Sequence, residues 1–154
     1  VVPEDRLASL GLSLPAVSPP VGSYVPALVL GTRVLVSGQL PLVGGALKET
    51  GVVGPGPDQV SADEARECAR IAALNALAAI AEAAGGLGRV ARIVRVTGYV
   101  ASDPDFTDQP TVVNGASDLM VDVFGERGRH ARSAVGVAAL PLGAPVEIEV
   151  EASL

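Results

Sequence analysis

One stretch limits the fold of this chain more than any other: SADEARECARIAALNALAAIAEAAGG, Ser61 to Gly86. Ser61 and Glu64 stand at the S-x-x-E spacing of a capping box, which satisfies two orphan amides at a helix start. Gly85-Gly86 supplies the stop. The apolar positions include Ala65, Cys68, Ala72, Leu77, Ile80 and Ala84, while Glu67, Arg70 and Glu82 point elsewhere, so the stripe is broad but shallow. Small side chains of this kind let a sheet approach closely. Cys68 lies in the stripe and reads as a buried, inert thiol rather than a nucleophile.

The other elements arrange themselves around this helix. Val1 to Val21 is rich in Pro and Ser, and Pro15, Pro19 and Pro20 forbid a regular helix, so an irregular arm that wraps a neighbour is expected. ALVLGTRVLVSGQLP, from Ala27, places two apolar runs around Gly31-Thr32 and reads as a hairpin. Pro41 to Val60 is a glycine-rich loop with room for a short edge strand at Ala46–Glu49. RVARIVRVTGYV, Arg89 to Val100, reads as a half-buried strand with Val90, Ile93, Val94 and Val96 as its apolar residues. A second helix starts near Pro110, capped by Thr107 or Asp108, and stops at Gly125. Gly115 weakens that helix by about 1 kcal/mol relative to alanine, which suggests a packing or site reason for it. Two strands follow, the last with Val146, Ile148 and Val150 alternating with Glu147, Glu149 and Glu151.

The order β-β-(β)-α-β-α-β-β implies an α+β fold, with two helices on one face of a mixed five- to six-stranded sheet. At 154 residues the chain makes a single domain, 1–154, whose core must come from Val, Ala and Leu, since there is no Trp and only two Tyr and two Phe. The uncovered sheet face, with its unevenly polar pattern, predicts self-association.

Charge and rare residues narrow the function. Acidic groups outnumber basic ones 17 to 11, a net charge of −6, which repels phosphate backbones and makes nucleic-acid binding an unfavoured partner class. No segment reads as a secretory signal and no apolar run reaches the ~18–20 residues that span a bilayer, so a soluble cytoplasmic protein without a membrane partner is expected. With one cysteine and one histidine, His130, the chain has no cluster for zinc, and no metal is expected.

The arginine that opens ARSAVGVAALPLGAPVEIEVEA, Ala131 to Ala152, is the residue least explained by packing. In a strand its same-face neighbours are Ala134, Gly136 and Ala138, all small, so the Arg132 guanidinium has space around it. It reads either as a solvated rim arginine or as a fork for a carboxylate or phosphate, with a charge that does not titrate away. Glu147 reads either as part of a wet strand face or as a proton-transfer group beside an anion bound at Arg132. Tyr24, Ser37 and Asn114 are further polar candidates. In a plain hairpin of the last two strands, Arg132 and Glu147 would stand roughly 20 Å apart. The connection therefore crosses over within the sheet, or one of the two residues enters the pocket from a neighbouring chain.

Taken together, GSYVPALVLGTRVLVSGQLP, the capped helix, RIVRVTGYVASDPDF, VVNGAS and ARSAVGVAALPLGAPVEIEVEA resemble the reactive intermediate deaminase family, also called YjgF-like, in a longer branch of it. The most specific match is A-R-S-x-V-x-V-x-x-L-P at Ala131 to Pro141 with V-E-I-E at Val146 to Glu149; S-G-Q-L-P at Ser37 to Pro41 is second. The resemblance implies a chorismate-mutase-like fold, a homotrimer, and clefts between subunits that take small carboxylate-bearing ligands. It implies hydrolysis of 2-imino or 2-enamino acids to 2-oxo acids and ammonia, with no cofactor. By position, Arg132 matches the arginine that holds the substrate carboxylate, Glu147 the acid near water or the imino nitrogen, and Tyr24 a pocket tyrosine. Ser37 and Gly38 match the pocket lining, and Asn114 a helix asparagine beside it. Ala134 stands where the deaminases often have cysteine, and only its backbone amide could replace that residue's contact. The alternatives are a carboxylate-binding or regulatory trimer without turnover, and the ribonuclease that the family's older names suggest.

Overall fold

The computed structural model describes residues 2–154. Five strands form one sheet: β1 (Ala27–Leu30), β2 (Arg33–Val36), β5 (Arg92–Ala101), β6 (Ala131–Val137) and β7 (Val146–Ser153), in the order β1-β2-β7-β5-β6. All neighbouring pairs are antiparallel except β5 and β6, so the sheet is mixed. The two long helices, α2 (Ala62–Ala84) and α3 (Gln109–Phe124), pack on each other and on one face of it. The α+β architecture read from the element order is the one observed.

Helix α2 forms as its ends dictate. Ser61 Oγ accepts from the Glu64 amide at 3.1 Å while the Glu64 carboxylate accepts from the Ser61 amide at 3.3 Å, and Gly85 ends the helix in left-handed backbone. Ala65, Cys68, Ala69, Ala72, Ala76, Leu77 and Ile80 are buried under it against Val34, Ile148 and their neighbours. Burial pushes the Cys68 thiol up to about 11, with Glu49 and Glu67 adding to the shift. In α3, the reason for Gly115 is packing: a Cβ there would overlap the main-chain oxygen of Arg66 on α2. Asp108 occupies the cap position of α3, but its Oδ1 accepts from Thr111 Oγ1 at 2.7 Å and makes no bond to the helix backbone; Thr107 is not the cap.

Three expectations need correction. The arm is not irregular throughout: Pro3–Ser9 is a helix, α1. Pro3 lies in its first turn with Glu4 and Asp5, where proline lacks only an unneeded donor and acids complement the helix dipole, and the prolines at 15, 19 and 20 come too late to break it. Leu7 is buried, Arg6 Nε donates to Asp122 O at 3.0 Å, and Glu4 accepts from the Leu87 amide at 3.0 Å. Val1, the arm's first residue, lies outside the described residues. Second, the short strand, β4 (Ala46–Leu47), does not edge the main sheet; it pairs with β3 (Leu42–Val43) in a separate ribbon closed by Gly44-Gly45. Third, Val94 is exposed, because a register shift between Ile93 and Arg95 turns it out of the apolar alternation.

The helix face of the sheet is apolar: Val34, Val36, Val96, Val100, Val146, Ile148, Val150 and Ala152 are all buried. The opposite face is bare in the isolated chain. It carries Glu147, Glu149 and Glu151 beside Arg33, Arg95, Thr97 and Tyr99, with Leu28, Leu30 and Val135 exposed among them. No helix among the described residues is long and apolar enough to cross a membrane.

Candidate functional site

The residues singled out in the sequence gather into two clusters. The first belongs to edge strand β6 and helix α3. Arg132 pairs across the ladder with buried Val96, so its side chain leaves the sheet on the helix face. There its Nη1 donates to Asn114 Oδ1 at 2.6 Å and to Ser117 Oγ at 3.3 Å. Asn114 and Ser117 lie one turn apart on α3 and so present two acceptors to one guanidinium nitrogen. Both bonds engage Nη1, and among the described residues Nε and Nη2 make no hydrogen bond; that edge is the one that forks onto a carboxylate. Ala134 follows on the same face of β6, partly buried against the core.

The second cluster lines a cavity of about 410 Å³ at the other end of the chain's site residues. Tyr24, Gly38 and Glu147 face it, with Pro19, Pro20 and Leu142 among its apolar walls. Gly38 is required by close approach: a Cβ there would overlap Glu147 Oε1. Ser37, one residue earlier, is turned to the local backbone, its Oγ donating to Val25 O at 2.6 Å. The loop that forms this wall is tied to α2 by Asn75, a buried side chain whose Nδ2 donates to Leu40 O at 3.0 Å and Leu42 O at 3.1 Å. Burial pushes the Glu147 carboxyl above the ordinary carboxylate range, and the nearby Glu149 adds to it.

Within one chain the two clusters do not meet. Strand β5 lies between β6 and β7, so the last two strands are not a plain hairpin and the crossover expected as one alternative exists. It does not unite the charges. Arg132 is level with Val96, and Glu147 with Tyr99, three residues further along β5. Two strand spacings and three residues put their Cα atoms roughly 14 Å apart. Glu147 alternates with buried Val146 and Ile148 and therefore leaves by the bare face.

Sequence reading passed over Ser117, His130, Asn75 and the proline wall at 19–20. Ser117 and His130 carried a usable signal: the first stands three residues after Asn114 on a helix, the second two residues before Arg132 toward a strand.

Comparison with known proteins identifies the family and the fold. Residues 4–153 match the family model described as "YjgF/chorismate_mutase-like, putative endoribonuclease". Protein TCP17 of Trypanosoma cruzi is 44% identical over 156 residues, covering 97% of this chain and 94% of that protein. Among solved structures, Atu1372 of Agrobacterium tumefaciens superimposes with a TM-score of 0.90 at 40% identity, over 99% of this chain and 92% of that one. A protein of Shewanella oneidensis MR-1 that bears the same endoribonuclease label has a TM-score of 0.94 at 34% identity, over 100% of both chains. E. coli TdcF, solved with bound serine, has a TM-score of 0.62 at 26% identity, over 90% of this chain and 93% of its own. The chain belongs to the YjgF/chorismate-mutase-like family.

Proposed function

We propose that the protein is a cofactor-independent deaminase of 2-imino and 2-enamino acids, working as a homotrimer whose pockets are completed between subunits. The observation that carries the reading is the Arg132 guanidinium, fixed through Nη1 by Asn114 and Ser117 with its Nε and Nη2 edge left for a carboxylate. Serine bound to TdcF is a small carboxylate on a related fold, which supports the same class of ligand.

The chemistry asks little of the protein beyond placement. Water adds to the C=N carbon of R–C(=NH)–CO₂⁻, giving a carbinolamine; loss of NH₃ from it leaves R–CO–CO₂⁻. Glu147 is suited to take a proton from the attacking water and return one to the departing nitrogen, because its raised pKa lies nearer the working pH than that of an ordinary carboxylate. Arg132 would hold the carboxylate, Tyr24 and Gly38 would bound the pocket, and the Ala134 amide would add a donor on the edge strand. One substrate can reach both Arg132 and Glu147 only where two chains meet. The bare sheet face and the free outer edges of β1 and β6 supply surface for that assembly.

Ribonuclease action is the weaker reading. His130 is turned inward with both ring nitrogens engaged, and the bare face carries Glu147, Glu149 and Glu151 where a phosphate backbone needs positive charge. The test is ammonia release from freshly generated 2-iminopropionate and 2-iminobutyrate by the purified protein. Release above the spontaneous rate supports the deaminase; none with several imines, together with retained 2-oxo acid binding, supports a binding trimer instead.

A further inference from the structure

Behind Arg132 runs a chain of polar contacts with a definite direction. His130 Nδ1 stands 2.6 Å from the carbonyl oxygen of Gly128, which can only accept, so Nδ1 carries the proton. The neutral ring then presents Nε2 as an acceptor. Ser117 Oγ lies 2.9 Å from it and donates its hydroxyl proton there. The serine oxygen keeps its lone pairs for Arg132 Nη1, at 3.3 Å, and a hydroxyl that donates on one side accepts more strongly on the other.

We propose that His130, acting through Ser117, is a positioning residue for Arg132, orienting the serine hydroxyl so that it receives the guanidinium and aims the free edge at a ligand. The proposal rests on Arg132 as the carboxylate anchor, but the coupling between the three side chains can be measured without any ligand. A long arginine side chain loses rotamer freedom on binding, and fixing it beforehand lowers that cost. Protonation of His130 would reverse the first bond: Nε2 would become a donor, the serine hydroxyl would lose its acceptor there, and its two lone pairs would be shared between two cations, the imidazolium and Arg132.

The surroundings favour the neutral ring. The charge that acts on it is Arg132 of β6; Arg92 of β5 and Arg129 line the cavity beside the imidazole with Val94 and Ala131, and Arg129 is paired with Glu126 at 3.0 Å. From α3 come neutral Ser117 and Asn114, while the neighbouring Asp118 is engaged by Arg66 of α2 at 2.8 Å. Gly128 presents its carbonyl from the turn that follows α3. Burial and the Arg132 charge hold the imidazole below its ordinary pKa, against the opposing effect of the Gly128 carbonyl.

His130 is the only histidine in the 154-residue chain, so the imidazole ¹⁵N resonances of uniformly labelled protein belong to it without assignment. The experiment titrates them in wild type, Ser117→Ala, Ser117→Thr and Arg132→Gln, and measures sodium pyruvate binding to the same proteins and to His130→Ala by calorimetry. In wild type at pH 7 the ring should carry its proton on Nδ1. Arg132→Gln should raise the His130 pKa, and Ser117→Ala should move the Nε2 resonance, with Ser117→Thr restoring it. Ser117→Ala and His130→Ala should weaken pyruvate binding about three- to tenfold, the loss of one hydrogen bond, with recovery in Ser117→Thr. Titrations of Ser117→Ala and Arg132→Gln that overlay the wild type would overturn the coupling, whatever the protein binds. Wild-type pyruvate affinity in Ser117→Ala and His130→Ala would overturn the positioning role and leave the deaminase reading intact. Coupled resonances with no pyruvate binding by wild type would leave the three-residue chain standing and remove Arg132 as a carboxylate anchor.

Discussion

Arg132 and Glu147 leave the same sheet on opposite faces, with strand β5 between the strands that carry them. Arg132 turns towards α3, where Asn114 and Ser117 hold it; Glu147 turns towards a cavity walled by Tyr24, Gly38 and the proline arm. A substrate small enough to be a 2-imino acid cannot span both within one chain. The proposed deamination therefore demands an assembly, and for the proposed homotrimer light scattering at micromolar concentration should give a particle of three 15.4 kDa chains. A monomer would remove the intersubunit pocket.

Arg132→Ala should leave the fold intact and lower 2-oxo acid affinity by about 1.5–3 kcal/mol, the worth of a charge-assisted fork. Arg132→Lys should also be impaired, since an ammonium cannot reproduce two parallel bonds from a planar group. Calorimetry with pyruvate or 2-oxobutyrate checks both variants, with circular dichroism as the folding control.

Glu147 should trade stability for function. Its folded pKa is raised, so the folded state binds the proton more tightly than the unfolded chain does. Its favourable contribution is complete below the ordinary carboxylate pKa and is lost as pH rises through the raised one. Glu147→Gln removes that loss: its Tm should exceed wild type at pH 7 to 8, and the gap should close as pH falls below roughly 4. Ammonia release by the same variant should collapse. Wild-type activity with an unchanged Tm profile would mark Glu147 as an ordinary residue of a solvated strand.

Gly115→Ala should destabilise the protein by about 1–3 kcal/mol although alanine is the better helix former. The added methyl meets the Arg66 carbonyl of α2, and backbone cannot move aside cheaply. Urea denaturation measures it; a stabilised variant would show that the α2–α3 contact relaxes easily.

Cys68 should resist alkylation in the native protein. Its side chain is fully buried and its pKa of about 11 leaves almost no thiolate at neutral pH. Iodoacetamide should label it only after denaturant is added.

What could be read in the sequence was what local physics decides. The capping box at Ser61 and Glu64, the left-handed stop at Gly85 and the hairpin at Gly31-Thr32 each rest on a few adjacent residues. The alternation of Val146, Ile148 and Val150 with three glutamates settled which face of β7 is wet. The helix at Pro3–Ser9 was hidden because its stability comes from Leu7, Arg6 and Glu4 reaching parts of the chain far away in sequence. Between a crossover within the sheet and a contribution from a neighbouring chain the sequence left Arg132 and Glu147 undecided for a related reason: the insertion of β5 between β6 and β7 is a property of the whole sheet, and nothing in Ala131 to Ala152 encodes it. His130 and Ser117 lay within two and three residues of recognised site positions, yet their roles depend on which way a hydroxyl proton points.

A pocket built from two chains can be rebuilt from two defective ones, by co-expressing differently tagged Arg132→Ala and Glu147→Gln subunits and purifying the mixed oligomers. Ammonia release from 2-iminopropionate is then compared with that of each single-variant oligomer. In a ring with random placement, an interface is intact only when its arginine comes from one variant and its glutamate from the other. Every mixed trimer, whether two-to-one or one-to-two, holds one such interface of its three, so the purified mixed oligomers should recover roughly one third of wild-type activity from two inactive parents. Mixed oligomers that are folded and fully assembled, yet no more active than their parents, would contradict it.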